Sequence, residues 1–404
     1  MNGAGSKAAD VIVIGGGIAG LSTAYFLAKR GQRVVLLEKG RLAWEQSSRN
    51  WGFIRQQGRD PAELPMAVLA NRIWSSIEHE LGTDVEWCQG GNLALASDAD
   101  DLDRYEEGAL SAQAAGIDTR VLTSDQVRSL VPALRDRYAG GLHTATDGQA
   151  DPLKATLAFA LGARRAGAEL REHCAVNSII TTSGRVTGVT TEAGELHSDV
   201  VVCAAGAHSS FLARMVGLKL PQRSMRSTVA LTTPLPPLTK LGIWASGVGI
   251  RQARDGSVIL GRASAGTAEH DLTLESVRHL RLFLPTFLRN SDLFRLRVGK
   301  PLLRDVFRHI PGTTAARRPF AIWLMRSQCR MRRRSRAAFV CSASDSPYLA
   351  RWVSRARGQG SSMPRQTCCQ FWAKHGRSPD SSSPPASAVT ASAWVPVQAT
   401  RSRS

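Results

Sequence analysis

The first forty residues combine two kinds of hydrophobic pattern. The run VIVI at residues 11–14 is uninterrupted and β-branched, which is typical of a strand buried on both faces of a parallel sheet. Over residues 21–30 apolar positions return at helical spacing, and Gly31 then predicts the end of a helix. A second apolar run at 33–38 ends in an acidic residue and predicts another strand. The pattern therefore predicts a strand–helix–strand unit.

The first strand and the helix are joined by the run GGGIAG, with glycines at 15, 17 and 20. In such a unit Gly15 permits a tight turn, Gly17 lets the backbone approach a pyrophosphate, and Gly20 lets helix and strand pack closely. Glu38 is placed to accept hydrogen bonds from a ribose. The expected dinucleotide contacts are Gly15, Gly17, Ile18, Ala19, Gly20, Glu38 and Lys39.

Two other interpretations of this start are an empty structural unit of the same shape and a membrane-spanning helix over residues 11–28. The glycines divide that apolar run into two parts with different periods, which disfavours the membrane helix. No leader peptide is predicted either, since the polar opening MNGAGSKAAD precedes a run without a small-residue cleavage site. We expect a cytoplasmic protein, with peripheral attachment to the inner face of a membrane as an alternative.

Three later stretches extend the pattern: SSRNWGFIRQQG at 47–58, DGQADPLKATLAFALGARRAGAEL at 147–170, and AVNSIITTSGRVTGVTTEAGELHSDVVVCAAGAHSS at 175–210. With the N-terminal motif they resemble the D-amino-acid oxidase-like family of FAD-dependent oxidoreductases, over residues 10 to about 305. The resemblance implies non-covalent FAD, because the first stretch has no His or Cys placed as in members that link flavin covalently. The further FAD contacts that it implies are Ser47, Ser48, Arg49, Asn50, Gly52, Val176, Ala205 and Gly206.

The fold class expected from pattern and resemblance is α/β, a Rossmann-like FAD-binding domain with a second, mixed-sheet α+β substrate domain and an irregular C-terminal tail. Residues 169–203 alone predict four short strands, with turns at Ser183-Gly184 and Ala193-Gly194. The predicted division is 1–50 with 140–220 for the FAD-binding domain, 51–139 with 221–305 for the substrate domain, and 311–404 for the tail.

The resemblance implies oxidation of an amino acid or secondary amine that carries a carboxylate, by hydride transfer from the α-carbon to flavin N5. Electrons would pass to oxygen or to a respiratory acceptor, and a partner subunit is possible. Arginine is the usual anchor for a carboxylate. The stretch GIRQARDGSVILGR at 249–262 predicts a hairpin in which Arg251 and Gln252 face opposite sides. Arg251 is the first candidate, Arg55 and Gln57 are weaker ones, and a solvated charge is the alternative.

Charge and cysteines exclude two other classes of protein. The formal net charge is +19, but residues 311–404 alone hold 16 Lys and Arg against 2 Asp and Glu, so the body has no basic face for nucleic acid. The seven cysteines have no metal-ligand spacing, which predicts no metal site and favours a reducing compartment. The histidines are isolated along the chain, and no pattern assigns a catalytic base.

The tail is unlike the body: four of the cysteines and 16 serines lie in 311–404. A reading frame shifted by one base permits the sequence GFSGHGFG over positions 386–393, which resembles the glycine-rich C-terminal segment of the family. We therefore interpret the chain from between residues 304 and 322 onward as out-of-frame translation. The lost segment would include a final strand packing against residues 11–14. One alternative for the tail is a real, disordered Arg/Ser-rich extension, with RMRRRSR at 330–336 as a nucleic-acid patch. For the whole chain the alternatives are an inactive remnant or a flavin-free scaffold protein.

Overall fold

The computed structural model describes residues 9–134, 136–222, 226–245, 247–262, 268–289, 291, 294–299, 302, 303, 306 and 370–375. The helices are α1 (Ile18–Ala28), α2 (Leu64–Leu81), α3 (Ala99–Ala114), α4 (Ser124–Leu130), α5 (Pro152–Arg165), α6 (Ser209–Met215), α7 (Leu274–Arg278) and α8 (Leu280–Arg289). Two short 3-10 helices span Gln46–Ser48 and Gly206–His208.

The strands are β1 (Val11–Ile14), β2 (Val34–Leu37), β3 (Phe53–Ile54), β4 (Asn92–Ala96), β5 (Thr119–Thr123), β6 (Gly140–Thr144), β7 (Gly148–Gln149), β8 (Glu169–Arg171), β9 (Val176–Thr182), β10 (Arg185–Thr191), β11 (Gly194–His197), β12 (Val200–Cys203), β13 (Arg226–Leu231), β14 (Gly242–Ala245), β15 (Val248–Gln252), β16 (Val258–Arg262), β17 (Ala268–Asp271), β18 (Phe294–Arg297) and β19 (Gln370–His375).

The N-terminal unit forms the centre of a parallel sheet with the order β12-β1-β2-β8. All four residues of β1 are buried, because successive side chains enter two different cores. Val11 and Val13 pack with α1, α2 and α5, whereas Ile12 and Ile14 pack toward β9 and α6. The uninterrupted apolar run is thus explained by helices on one face and a second layer on the other.

The second layer is a three-stranded antiparallel sheet in the order β11-β10-β9. Ser183 and Gly184, with φ values of 51° and 76°, form the turn between β9 and β10. The prediction of four strands over residues 169–203 is wrong, because β8 is a further one. His173 has a φ of 54°, and this left-handed residue separates β8 from β9.

A larger mixed sheet follows the order β18-β17-β13-β16-β15-β14-β4-β6-β5, with β19 also pairing with β13. Its core lies under α4 and the loop that precedes β14, and it includes Leu93, Ile243 and Val258. The predicted fold class, a Rossmann-like unit together with a mixed sheet, is confirmed. The domain boundaries stay a prediction, and the pairing of β6 with β4 and β5 favours a division after residue 144 rather than at 140.

The tail prediction falls mostly outside the described residues. Within 311–404 the structure describes only β19, which pairs antiparallel with β13. The expectation that a lost strand would pack against residues 11–14 is wrong in position, since β1 already has neighbours on both sides. Among the described residues the sheet ends at β12 on the side of β1 and at β8 on the side of β2, so the open edge next to β1's neighbour lies at β12. In the described part of the chain no helix has the length and apolar character needed to cross a bilayer.

Candidate active site

The turn after β1 is held by glycines that leave no room for a side chain. Gly15 has a φ of 115°, and a Cβ on it would overlap the carbonyl oxygen of Ala204, at the end of β12. A Cβ on Gly20 would overlap the carbonyl oxygen of Gly15. Glycine at these two positions therefore lets α1, the turn and the end of β12 touch one another, as the motif predicts for Gly20.

The N-terminus of α1 is suited to an anion. Gly17 is the N-cap, so no side chain of the helix itself caps it, and its first turn holds no acidic residue. The amide of Ile18 donates to Ser47 Oγ at 2.9 Å, while a Cβ on Gly17 would stand 2.9 Å from the same oxygen. The positive end of the helix dipole is thus uncompensated by charge, and the bare backbone fits a phosphate group.

Glu38 fastens this turn to the end of β2. Its carboxylate is buried and accepts from the amides of Gly16 and Gly40, both at 2.7 Å. Burial raises the pKa of Glu38, and the two N–H donors oppose that rise. Neighbouring Lys39 forms an ion pair with Glu45 at 3.3 Å. The structure shows Glu38 as an organiser of the turn, and its contact with a ribose stays a prediction.

Residues 47–52 form a compact turn beside α1. Asn50 donates to Ser47 O at 3.0 Å and accepts from Gly52 N at 2.8 Å. Gly52 has a φ of 77°, and its carbonyl oxygen accepts a hydrogen bond from Ala150 N at 3.0 Å. A cavity of about 20 Å³, room for about one water molecule, lies between this turn, α1 and α5. The turn therefore presents backbone rather than bulky side chains to the N-terminus of α1.

Two further residues of the turn lie at its edge. Ser48 Oγ contacts the carbonyl of Glu45 at 3.5 Å. The Arg49 guanidinium lies 5.8 Å from the centre of the Trp44 ring, and burial lowers the pKa of Arg49. Both belong to the turn, neither contacts Gly15 among the described contacts, and their contact with FAD stays a prediction.

The loop that follows β12 is the third segment that lies at the turn after β1. Ala204 and Ala205 lie against Gly15, and Gly206, with a φ of 55°, lies near Gln46 of the turn. Val176 opens β9 as predicted, but its side chain is buried in the core between the two layers. Residues predicted from three separate stretches thus meet at the carboxyl ends of β1 and β12, where parallel sheets bind ligands.

Arg251 is the buried cation nearest to this turn. It is 1% exposed, and its Cζ and Nε lie 3.0 Å from where a Cβ on Gly52 would stand. Among the described residues, neither Nε nor Nη2 of Arg251 has a hydrogen-bond partner. Burial lowers the pKa of Arg251 while distant carboxylates raise it. The hairpin prediction is confirmed for β15 and β16, and Gln252 instead donates to the loop carbonyls of Leu235 and Pro236.

An aromatic cluster that sequence reasoning missed covers the same sheet face. Trp51 lies 5.0 Å and Phe53 5.4 Å from the Trp244 ring, centre to centre. Three glycines of the sheet make room for these rings: Gly242 for Phe53, Gly249 for both Trp51 and Phe53, and Gly261 for Trp51. The glycines at neighbouring positions of β14, β15 and β16 were a readable signal of this close approach.

The two weaker substrate candidates differ in the structure. Arg55 is half-buried, donates to Gln57 O at 2.7 Å and lies 5.4 Å from the Trp244 ring centre; burial lowers its pKa to about 9. The amide of Gln57 is engaged within the large sheet, with Asn92, Leu142 and Thr144. The geometry therefore favours Arg55 over Gln57 as a residue near the site.

Asp147 is a buried acid that sequence reasoning also missed. It is 0% exposed and accepts from the amides of Gln56 at 2.7 Å and Gln57 at 3.2 Å. Burial raises the pKa of Asp147 to about 6, although these N–H donors and Arg55 oppose the rise. Within the described ranges no three metal-ligating side chains lie together, so the geometry offers no metal centre there.

Comparison with known proteins identifies the family in which this arrangement of turns occurs. Residues 10–319 match the model of the DAO family, FAD dependent oxidoreductase. Human mitochondrial sarcosine dehydrogenase is 33% identical over 232 residues, which cover 55% of this chain and 25% of that protein. Sarcosine oxidase subunit beta of Arthrobacter sp is 29% identical over 265 residues, covering 63% of this chain and 65% of that subunit.

A solved structure, glycine oxidase from Geobacillus kaustophilus, superposes with a TM-score of 0.59 at 26% identity and covers 63% of this chain and 70% of that one. The chain thus spans less than two thirds of the length of the two sarcosine-oxidising relatives. The family match, in contrast, includes the glycine turn, the 47–52 turn and the Arg251 hairpin. The chain belongs to the DAO family of FAD-dependent oxidoreductases.

Proposed function

We propose that the chain binds FAD non-covalently across the carboxyl ends of β1 and β12. The pyrophosphate would lie at the N-terminus of α1, with Gly15, Gly17 and Ala19 as backbone contacts and Glu38 toward the ribose. The 47–52 turn and Ala205-Gly206 would bound the flavin. Support comes from the first turn of α1, which holds no acidic residue, and from Gly17 and Gly52, where a side chain would collide with Ser47 Oγ and Ala150 O.

We propose further that the substrate is an amino acid or secondary amine with a free carboxylate, anchored by Arg251. The observation that carries this proposal is the pair of unpartnered nitrogens, Nε and Nη2, on a side chain that is 1% exposed. These two atoms form one edge of the guanidinium fork, which matches a carboxylate in bidentate geometry. A buried unpaired cation is unfavourable, so the site is suited to an anion.

The bound flavin would supply the electron-accepting chemistry, taking a hydride from the α-carbon of the substrate. The chain's own residues would orient that carbon and exclude water. Arg251 would fix the carboxylate. Because Gly52 has no side chain, the Arg251 guanidinium can lie against the 47–52 turn. The rings of Trp51, Phe53 and Trp244 wall the same face, and a drier site strengthens the ion pair with Arg251. No protein base is assigned, since an amine that binds in its neutral form needs none.

The test is a matched pair of variants in the β15–β16 hairpin. Arg251→Met should leave FAD bound, measured as the ratio of flavin to protein absorbance, and should raise the KM for a carboxylate substrate by about 100-fold or more. Arg254→Met removes an exposed arginine that pairs with Asp84 and should change neither quantity. Sarcosine, glycine, D-amino acids and proline derivatives form the substrate set.

Three outcomes are distinguishable in that experiment. A colourless protein that takes up no added FAD contradicts the cofactor proposal. A flavoprotein in which Arg251→Met keeps the wild-type KM contradicts the substrate anchor. Amines that lack a carboxylate are added to the set as a comparison, and the substrate class is contradicted if they bleach the flavin as well as the carboxylate substrates do.

Three further proposals concern the electron acceptor, the cellular compartment and the assembly of the protein. We propose oxygen or a respiratory acceptor, a cytoplasmic location with optional peripheral attachment to the membrane, and a possible partner subunit. The relative from Arthrobacter is a subunit by its name, which motivates the last of these. No observation favours the alternative of a flavin-free scaffold protein.

A further inference from the structure

Buried polar atoms without partners concentrate on one face of the large sheet. Among the described residues they include Asn92 Oδ1 on β4, Trp244 Nε1 on β14 and two nitrogens of Arg251 on β15. A buried donor or acceptor that loses water without gaining a partner is destabilising, so such a cluster points to a ligand. The proposed anchor Arg251 accounts for two of these atoms, and Trp244 adds a third donor.

Trp244 is on the same face of the sheet as Arg251. It is directly opposite Gly249 in the β14–β15 pair, and Arg251 lies two positions along β15 from that glycine. Side chains two residues apart on a strand point to the same face, and diagonal neighbours across a pair are within reach of long or aromatic side chains. The indole and the guanidinium are therefore diagonal neighbours on one surface.

The indole is fixed in place and set in positive surroundings. Trp244 is 7% exposed, and its ring packs against Trp51 and Phe53, with ring centres 5.0 and 5.4 Å away. Arg55 Cζ lies 5.4 Å from the Trp244 ring centre, which adds a second guanidinium next to the site. A rigid N–H donor with two arginines on neighbouring positions favours an anionic acceptor.

We propose that the Trp244 indole N–H is a second hydrogen-bond donor to the substrate carboxylate. This rests on the proposed function, in which Arg251 anchors that carboxylate. The fork edge of Arg251 uses one lone pair on each carboxylate oxygen, and each oxygen has a second lone pair. The indole N–H takes one of these, so the two side chains together fix the position and the tilt of the carboxylate.

The experiment uses the FAD-loaded full chain and acetate, a small carboxylate that is not oxidised, titrated by the change in flavin absorbance. Trp244→Phe keeps an aromatic ring and removes the N–H, and it should weaken acetate binding about tenfold while the dissociation constant of FAD is unchanged. Trp87→Phe is the matched control, because Trp87 stacks on Trp74 away from this face and should bind acetate as wild type does.

A double variant adds a readout that loss of packing would not give. If both side chains hold one carboxylate, Trp244→Phe should have little further effect on acetate binding in the Arg251→Met background. Full additivity of the two losses, unchanged acetate binding in Trp244→Phe, or a loss of FAD affinity in Trp244→Phe each overturns the inference. If wild type binds FAD but not acetate, the Arg251 anchor itself fails. If wild type takes up no FAD, the cofactor proposal fails.

A measurement without substitution covers the case in which Trp244→Phe does not fold. The chain has nine tryptophans, and the indole N–H signals of ¹⁵N-labelled wild-type protein can be followed as acetate is added. A downfield shift of an indole proton is expected from a new hydrogen bond to a carboxylate. Indole signals that stay in place at saturating acetate overturn the inference.

Discussion

At the scale of single residues, Asp147 carries a pH dependence that can be given a sign. Its folded pKa of about 6 lies above the ordinary value of 3.8, chiefly because of burial. The charged groups that face it are Arg55 and Arg59, with Glu63 beyond them at 3.7 Å from Arg59. A carboxyl group whose pKa is raised by folding binds its proton more tightly in the folded state, so ionisation of Asp147 opposes folding.

The prediction is that stability due to Asp147 falls as pH rises from 4 to 7. The separation of the two pKa values corresponds to about 3 kcal/mol in the free energy of unfolding. The difference in that free energy between wild type and Asp147→Asn, from denaturant titrations at several pH values, should change by this amount over the range. Asp98→Asn, at the exposed N-cap of α3, is the control for loss of an acidic side chain. A difference that is flat with pH contradicts the prediction.

Two glycines allow backbone strain to be separated from steric contact. Gly52 and Gly116 both have a φ of 77°, but a Cβ on Gly116 meets nothing within 4 Å, whereas one on Gly52 overlaps Ala150 O and presses on Arg251. Gly116→Ala should lose about 1–2 kcal/mol of unfolding free energy, the cost of a left-handed conformation. Gly52→Ala should lose at least about 2 kcal/mol more and weaken acetate binding. Equal losses for the two variants would refute the contact at Gly52.

At the scale of elements, the start of α1 is capped by another segment. Ser47 Oγ accepts from Ile18 N, whereas α4 carries its own capping box through Thr123 and Gln126. Ser47→Ala and Thr123→Ala should therefore each lower the free energy of unfolding by about 1 kcal/mol. Only Ser47→Ala should also weaken FAD binding, because it frees the turn from the helix end. The dissociation constant of FAD in the two variants decides the point, and equal constants would contradict it.

The same scale shows how far the sequence predicts the fold and the site. The β15–β16 hairpin was predictable because alternation and an Asp255-Gly256 turn are local signals, and Gly256 has the expected positive φ of 85°. The burial of Asp147 and the identity of the rings that pack on β14–β16 were not predictable, although the glycines of those strands indicate a close approach there. They depend on contacts between segments about 90 to 200 residues apart, for which the sequence alone has no pattern.

At the scale of the whole molecule, no described strand pairs with the outer edge of β12 in the parallel sheet, and Val200 there is exposed. An unpaired strand edge is a template for association with other chains.

We predict that the gene, resequenced across codons 300–330, contains a frame change. The frame-corrected protein should then be more soluble than the 404-residue chain and retain more FAD, measured after gel filtration. Soluble 404-residue protein with one FAD per chain and substrate-dependent turnover would show that the tail is genuine.

The strand order of that sheet also determines how long β1 and β2 wait, during translation, for the strands that pair with their outer edges. Strands β1 and β2 leave the ribosome first, but their outer neighbours β12 and β8 begin at residues 200 and 169. At about 5–20 residues per second, the nascent chain carries two apolar strands with open outer edges for about 7–30 s. We therefore expect these strands to be prone to aggregation during translation, and slow codons between residues 40 and 170 to prolong that exposure.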